Sequence, residues 1–461
     1  MTNSYNLPQV VEIPKFIRRM KFLFQPFRYL KDLLQTYGDS FIILIKDGQY
    51  VVYLSKPEDL EKIFAADRNS IEIVRGNAIL KYLVDMVGEN SLLLLQGDRH
   101  EQHRKLLTPP FHGDRMRTYG MTMCEIAQQV TDKWETGKPF KIRESMQEIT
   151  FSVILQVVFG LDKGKRFDEL QIKISALLDC LISPLLLAGW YFPLLQKDWG
   201  TWSPRGKVLQ LRKQIDDLIY DLINKRRAES NQNRKDILSL MMSARYEDGG
   251  AMSDKELCDE LMTLLIAGHE TTASALTWAF YWVDYLPEVR KKLLKELNDL
   301  SENPEPSAVA KLPYLTAVCK ETLRIYPIIA NATPRILKAP IEVGRYKLPK
   351  GTLINLNIYL AHHREEVYPQ PDHFKPERFL ERQFSAYEFL PFGGGNRRCI
   401  GLAFAMHQMK LVLATILSRY EVARTDKRPL EPVIRGIALA APAGMKMIAK
   451  PVKKVAKTSV I

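Results

Sequence analysis

The segment Pro391–Gly401 constrains this chain most. It reads Pro-Phe-Gly-Gly-Gly-Asn-Arg-Arg-Cys-Ile-Gly and leads directly into an apolar, helix-like run, Leu402–Leu417. Its three consecutive glycines allow positive φ and let a flat or bulky group approach the backbone closely. A free cysteine is most often a small buried hydrophobe, but the glycines and the paired arginines around Cys399 favour a different role.

Cys399 is predicted to lie at the first turn of the following helix. There the helix dipole and the neighbouring Arg397 and Arg398 would favour the thiolate over the thiol. Arginine forks suit carboxylates or phosphates, so the pattern predicts an anionic sulfur beside a large ligand that carries anionic groups. Iron porphyrin fits, with a thiolate on the metal, a flat ring against glycine backbone and propionates on arginine. A phosphate-binding loop is excluded because no Gly-Lys-Ser/Thr follows the glycines.

This segment resembles the Phe-x-x-Gly-x-Arg-x-Cys-x-Gly heme-binding loop of the cytochromes P450, which it matches at Phe392, Gly395, Arg397, Cys399 and Gly401. The resemblance implies heme b as cofactor, with Cys399 as the axial ligand of the iron and with Phe392, Gly393, Arg397 and Gly401 around the heme. It spans nearly the whole chain and implies a mainly α fold with a small β region. We therefore expect one domain over residues 1–461, with frayed tails at 1–13 and 451–461.

A capping box at Ser253–Glu256 predicts the start of a long helix that runs to about Tyr285. Its middle reads Ala267-Gly-His-Glu-Thr-Thr272, in which a glycine, a carboxyl and hydroxyls interrupt an apolar pattern. The alternative without a catalytic role is a kink in the helix, at which these polar groups are hydrogen-bonded within the protein. The pattern resembles the oxygen-activating groove of the cytochromes P450. This resemblance implies that Thr271 and Glu270 deliver protons, while Ala267 and Gly268 leave room for dioxygen.

Three further residues are candidates for binding the heme propionates. His100 and Arg104 lie one helical turn apart, which would also suit a solvated basic helix. In the cytochromes P450 this stretch often reads Trp-x-x-x-Arg; here His100 replaces the Trp, and its ring N–H can still donate to a carboxylate. Arg335 follows Pro334 on a predicted strand, where the family often places another propionate ligand.

A separate set of charges is predicted to be structural. Glu321 and Arg324 form a Glu-x-x-Arg pair on a predicted helix, and Pro376-Glu-Arg378-Phe379 follows them in the chain. Alone, the first pair would be an ordinary surface ion pair. The order resembles the family's Glu-x-x-Arg helix and Pro-Glu-Arg-Phe meander, which implies that Glu321, Arg324 and Arg378 lock the architecture of the heme loop.

The composition limits the partners. A formal net charge of +13 favours an acidic protein or an anionic surface, and no nucleic-acid-binding motif accompanies it. The five cysteines include no Cys-x-x-Cys pair, which argues against a disulfide framework or a zinc site and suits a reducing cytosol. We expect a monomer.

The N-terminal residues 14–37 mix basic residues with phenylalanines. This mixture is typical of a basic amphipathic segment on a membrane surface, or of an ordinary first helix packed on the body. The longest apolar run, near 183–195, is interrupted by Gly189 and Pro193 and falls short of the ~20 residues that a membrane span needs. We expect a cytoplasmic protein that touches a membrane at most peripherally.

The resemblance implies a monooxygenase that inserts one atom of O2 into a C–H or C=C bond and reduces the other to water. No flavin or nicotinamide fingerprint is visible, so a separate ferredoxin or flavodoxin with its reductase would supply the electrons. A peroxide-driven peroxygenase or an isomerase is an alternative that needs no proton relay, and the Glu270-Thr271 pair argues against it. A heme-based sensor is the non-enzyme alternative, and it has no need of that pair.

The substrate is predicted to be an apolar small molecule, because the candidate cavity segments are largely aliphatic. These segments are Ile71–Asn90, Leu177–Phe192, Leu261–Thr271, Ile328–Pro334 and Gly436–Ala443. The heme loop, the helix after it and the stretch Arg435–Pro442 look similar to cyanobacterial cytochromes P450 that act on long-chain fatty acids and, in some relatives, terpenes. We hypothesise a fatty acid hydroxylase, with a terpene hydroxylase as the alternative. Arg75 or Lys81 could anchor a carboxylate or be solvated surface charges.

Overall fold

Helices dominate the chain, which confirms the predicted mainly α class. The computed structural model describes residues 6–45, 48–66, 71–73, 78–113, 115–181, 200, 202–229, 234–301, 304–435 and 438–452. Within them the helices are α1 Lys15–Phe24, α2 Pro26–Tyr37, α3 Pro57–Ala66, α4 Ala78–Val87, α5 Gly97–Leu107, α6 Arg115–Thr131, α7 Ile142–Val153, α8 Lys165–Leu181, α9 Pro204–Ala228, α10 Ile237–Ser243, α11 Asp254–Tyr285, α12 Pro287–Asn298, α13 Pro306–Val309, α14 Pro313–Ile325, α15 Ile358–His362, α16 Arg378–Glu381 and α17 Leu402–Leu417. Short 3-10 turns occupy Pro109–Phe111 and Gly395–Arg397, and a π-helical turn occupies Ile154–Val158.

The strands form small sheets. They are β1 Gln9–Val10, β2 Ser40–Leu44, β3 Tyr50–Leu54, β4 Ile71–Ile73, β5 Pro139–Lys141, β6 Arg335–Leu337, β7 Ile341–Val343, β8 Tyr346–Leu348, β9 Leu353–Leu356, β10 Tyr420–Arg424, β11 Val433–Arg435, β12 Ala438–Ala440 and β13 Lys446–Pro451. The largest sheet has the order β1-β2-β3-β9-β6-β4, and β10-β13-β5 form a second. Strands β2 and β3 pair antiparallel. Arg335 begins β6, on the strand that the sequence predicted after Pro334.

Parts of the two segments predicted to be frayed are paired with the body of the protein. Strand β1 pairs in parallel with β2, and Val11 is buried after it. At the other end, Pro451 closes the β13 ladder and the Val452 amide donates to the Arg419 carbonyl. Backbone pairing and burial therefore hold residues that composition alone assigned to tails. Among the described residues, no helix is long and apolar enough to cross a membrane.

The long helix α11 is the centre of the molecule. Its predicted capping box is present: the Ser253 hydroxyl accepts from the Glu256 amide, and the Glu256 carboxylate accepts from the Ser253 amide. The helix has 32 residues, which at ~1.5 Å per residue is about 48 Å. It packs against α7, α14 and α17, and most of its side chains are buried on all sides, as expected for a core helix.

A glycine lies where α11 packs against the continuation of α7. Helix α7 continues into the π-helical turn that begins at Ile154, and a Cβ added to Gly268 would lie 2.4 Å from Ile154 Cδ1. This π-helical turn packs directly against α11. Gly268 therefore serves the packing of the two helices.

The Glu321 carboxylate forms a buried ion cluster that ties α14 to the segment before the Cys399 loop. It accepts from Arg324 Nε and Nη2 at 2.7 and 2.8 Å, from Arg378 Nε at 3.1 Å and from the Lys375 amide at 2.8 Å. Both guanidinium groups lie over the ring of Tyr368. Glu321 and Arg324 are fully buried, so the predicted structural role is supported and a surface pairing is excluded.

Removing the shared carboxylate should cost much of the stability. We expect Glu321→Gln to lower the free energy of unfolding by ~3–5 kcal/mol, because it leaves two arginines buried beside a neutral amide. The matched control is Glu135→Gln, which breaks another i,i+3 pair, with Lys138, whose side chains are 67% and 71% exposed against 0% in the Glu321 pair. This control should cost about 0–1 kcal/mol. Equal losses in denaturant unfolding would contradict the structural role.

Gly268→Ala should be destabilising only while Ile154 keeps its terminal methyl. Overpacking costs ~1–3 kcal/mol, whereas alanine in a helix gains about 1 kcal/mol over glycine. We therefore expect Gly268→Ala to be neutral or stabilising in an Ile154→Val background, which lacks Cδ1, and less favourable in the wild type by ~1 kcal/mol or more. Denaturant unfolding of the four proteins measures this coupling. The same effect in both backgrounds would show that Ile154 does not limit the space.

Candidate active site

The loop before α17 is shaped by two glycines in the left-handed region. Gly393 has φ +69° and Gly395 has φ +62°, values that strain other residues. They turn the chain so that the Cys399 amide donates to the Phe392 carbonyl at 2.9 Å. Gly394 allows close packing instead, since a Cβ there would lie 2.9 Å from the ring of Phe64 on α3. The flat group that approaches this glycine is thus a side chain of the protein itself.

Cys399 follows this turn and has an exposed surface, although protein atoms surround it on most sides. Part of Cys399 is therefore accessible from outside the protein. Burial raises the pKa of its thiol above the ordinary value, and the Gly401 N–H, Arg104 and Arg398 only partly oppose this. The helix start and Arg398 thus lower the pKa of Cys399, as predicted, but in the protein alone the desolvation of the charged sulfur outweighs them.

The structure brings His100, Arg104 and Arg397 together near Cys399. His100 is buried, and burial together with the charges of Arg397 and Arg104 lowers its pKa to about 3, so its ring is neutral near pH 7. Burial lowers the pKa of Arg104, while the proximity of Cys399 raises it. Among the described residues, no carboxylate forms an ion pair with Arg104, so its charge is available to an anionic group.

The remaining predicted cationic residues are held in place by backbone oxygens and an aromatic ring. Arg397 donates to the Leu92 carbonyl at 3.0 Å and also to the Leu95 carbonyl. Arg335 is buried, donates to the Thr333 carbonyl at 2.6 Å, and lies 4.9 Å from the ring centre of Phe64. Because Phe64 also covers Gly394, Arg335 is packed next to the Cys399 loop.

One face of the central helix α11 is open although the helix is otherwise buried. Ala267 is exposed and Thr271 is partly exposed, whereas Leu265 and Thr272 are buried. The Thr271 hydroxyl donates to the Ala267 carbonyl at 2.6 Å, a bond that threonines commonly form within helices. The two residues therefore line an accessible space beside the helix.

Gly268 does not share that space, contrary to the sequence-based expectation. It faces Ile154, on the side of α7. The next residue, His269, is also turned towards α7: it is buried, and its Nδ1 lies 3.0 Å from the Thr150 hydroxyl. Burial lowers the pKa of His269 to about 3, so this imidazole is neutral. The physical reason is helical geometry: Gly268 is about 100° around the helix from Ala267, which turns it towards α7.

The Glu270 carboxylate is bound by residues far away in sequence. Arg143 Nη2 and Gln147 Nε2, both on α7, donate to it, the second at 2.9 Å. Arg435 Nε lies 3.3 Å from the same carboxylate. Arg143 also donates to the Ser274 hydroxyl at 3.3 Å, and burial lowers its pKa while Glu270 opposes this. Two cations and an amide thus fix the orientation of Glu270.

Sequence reasoning missed Arg143, Gln147 and Phe64, because none of them belongs to a local motif. Arg143 and Gln147 are one turn apart on α7, a spacing common to any helix. Two other expectations lie outside the described residues: Arg75 and most of the segment Leu177–Phe192. The side chain of Lys81 is likewise outside them.

Comparisons with known proteins identify the family. The cytochrome P450 family model matches residues 4–447. The chain is 33% identical to putative cytochrome P450 138 of Mycobacterium tuberculosis over 446 residues, covering 96% of each protein. It is also 33% identical to putative cytochrome P450 135B1 of the same organism over 462 residues, covering 99% of this chain and 94% of the relative.

Solved structures agree on the fold. Cyanobacterial CYP120A1 with bound retinoic acid is similar with a TM-score of 0.83 and 23% identity, over 97% of this chain and 100% of that one. The heme domain of cytochrome P450DA is similar with a TM-score of 0.83 and 20% identity, over 97% and 98% of the two chains. The chain belongs to the cytochrome P450 family, and it is therefore a heme-iron monooxygenase and an oxidoreductase.

Proposed function

We propose that this cytochrome P450 is a heme-thiolate hydroxylase or epoxidase of long-chain fatty acids. One oxygen atom of O2 enters a C–H or C=C bond of the substrate, and the other leaves as water. Two electrons from a ferredoxin or flavodoxin and two protons from solvent balance the reaction. The observation that carries the proposal is Cys399, which keeps accessible surface in the loop before α17, near Arg104, which forms no ion pair with a carboxylate in the described part of the chain.

The residues present fit a heme b group. Cys399 offers a soft sulfur donor with accessible surface, and a metal ion deprotonates a coordinating thiol outright, which would overcome the raised pKa. Arg104 has no carboxylate partner in the described part of the chain, and a propionate would supply one. We assign the propionates to His100, Arg104, Arg335 and Arg397, with Phe392, Gly393 and Gly401 shaping the backbone around the sulfur. Bound there, thiolate-ligated heme supplies the activation of O2.

Thr271 and Glu270 are the proposed proton-delivery pair. The Thr271 hydroxyl donates a hydrogen bond to the Ala267 carbonyl, and rotation about χ1 would direct this O–H into the open space. Glu270 is partly exposed and would pass protons inwards from solvent. Arg143 and Gln147 hold its carboxylate, so they act as positioning residues. Ala267, a small exposed residue one helical turn before Thr271, would leave room for O2.

The electron donor is proposed to be an acidic protein that docks on the Cys399 side. Arg398 is exposed next to Cys399, and the whole chain carries a net charge of +13. Complementary charges steer such encounters. A flavodoxin and a ferredoxin would both satisfy this requirement.

The proposed substrate class follows from aliphatic residues of the predicted cavity segments. Ile266 on α11, and Ile329 and Ala330 after α14, are partly exposed. Apolar burial at ~25 cal/mol per Å² would therefore supply most of the binding energy. The fold neighbour CYP120A1 is described with retinoic acid bound, a long apolar carboxylic acid, which supports the same combination of a hydrocarbon chain and one carboxylate here.

Titration of the ferric protein should identify the substrate. We expect a long-chain fatty acid to displace water from the heme and shift its spin state, because an apolar chain would exclude solvent from the space beside Ala267. The methyl ester of the same acid is the matched control for the carboxylate, and a sesquiterpene tests the alternative class. A shift with the sesquiterpene and none with any acid would reject the fatty acid assignment.

Thr271→Ala should uncouple electron use from product formation. Heme and substrate should still bind, while product per reduced cofactor falls by about tenfold or more and hydrogen peroxide rises, because protons no longer reach bound oxygen in time. Thr277→Ala is the matched control: its hydroxyl also donates to the i−4 carbonyl on α11, at 2.7 Å, but it is fully buried. Unchanged coupling in Thr271→Ala would exclude the relay, and equal uncoupling in both variants would indicate a purely structural role.

A further inference from the structure

Helix α1 has its apolar face on the outside of the protein. At about 100° per residue, four apolar residues share one face, which we call the α1 patch: Phe16, Ile17, Met20 and Phe24, exposed by 73%, 46%, 38% and 69%. Arg18 lies on the opposite face, and its guanidinium donates to the Leu44 carbonyl of β2. The arrangement is the reverse of a normal surface helix, which packs its apolar face on the core.

The adjacent helix α2 shows that this reversal is specific to α1. Tyr29, Leu30 and Leu33 of α2 are buried and pack with Phe41 of β2 and with Leu360. The two helices are consecutive and are separated only by Gln25. The protein therefore anchors α2 in its core and holds α1 at the surface with the apolar side outwards.

The charges of α1 indicate what covers the patch. The helix carries Lys15, Arg18, Arg19 and Lys21 and no acidic residue. Lys21 is exposed at the edge of the α1 patch, and its ammonium lies 5.9 Å from the ring centre of Tyr29. Basic residues that flank an apolar face match a surface with an apolar interior and anionic groups at its boundary. A second copy of this chain does not match, because a symmetric contact would bring both sets of basic residues together.

We propose that the α1 patch docks on a membrane surface that contains anionic phospholipid. The helix lies in the plane of the interface, with the phenylalanines at the acyl boundary and the basic side chains among the headgroups. The net charge of +13 of the whole chain adds long-range attraction to the same surface. The docking does not depend on the proposed substrate, although an apolar substrate would be concentrated in the same place.

Co-sedimentation of the full-length heme protein with vesicles tests this proposal. We expect binding to vesicles of phosphatidylglycerol and phosphatidylcholine, weaker binding to phosphatidylcholine alone, and loss of binding as salt rises. The affinity of the double variant Phe16→Ser/Phe24→Ser for these vesicles should fall by about tenfold or more, since the variant lacks the two most exposed aromatic rings of the patch. Lys15→Glu/Lys21→Glu should lose the preference for phosphatidylglycerol.

The controls carry equivalent changes elsewhere on the surface. Met121→Ser/Leu380→Ser removes exposed apolar residues from α6 and α16, and Lys291→Glu/Lys295→Glu changes the same charge on α12. Both should bind like the wild type. Three results would overturn the proposal: no vesicle binding, equal binding by the α1 variants and their controls, or a dimer in lipid-free buffer that Phe16→Ser/Phe24→Ser dissociates. Sedimentation velocity provides the last measurement.

Discussion

The buried Glu321 carboxylate is the interaction on which the architecture of the site depends. Charges removed from water are stable only when they are paired and fully hydrogen-bonded, and Glu321 binds Arg324, Arg378 and the Lys375 amide at once. The chain from Lys375 to Arg378 must therefore return to α14 whenever the protein folds. The Cys399 loop begins about a dozen residues later, so its position relative to the core follows from this cluster.

The central helix α11 meets two opposite requirements. On one side it approaches α7 so closely that only Gly268 leaves room for Ile154. On the other side Ala267 and Thr271 remain accessible. Glu270 lies between these sides and is bound by Arg143 and by Arg435. Tight packing on one face thus supports an open face with an oriented carboxylate at its edge, which is the arrangement that proton delivery from solvent would need.

Local patterns predicted local structure well. The capping box at Ser253 and the span of α17 are confirmed, because each depends on hydrogen bonds or periodicity within a few residues. The mainly α class, which the family resemblance implied, is confirmed as well. The errors concern interactions that a sequence does not display. The pKa of Cys399 depends on how much protein surrounds the sulfur. The side of α11 on which Gly268 lies is set by its contact with Ile154, and Gly394 contacts Phe64, which is distant in the sequence. Arg143 was missed for the same reason, since more than a hundred residues separate it from Glu270.

The absorption spectrum of the reduced, carbon-monoxide-bound protein tests the central claim, that the Cys399 sulfur is the axial ligand of the heme. The wild type should show the long-wavelength Soret band of thiolate-ligated heme, and Cys180→Ser, which alters a cysteine on α8, should keep it. Cys399→Ser should lose the band, because an alcohol oxygen cannot replace the thiolate as an electron donor. Retention of the long-wavelength band in Cys399→Ser would contradict the assignment of this loop as the heme site.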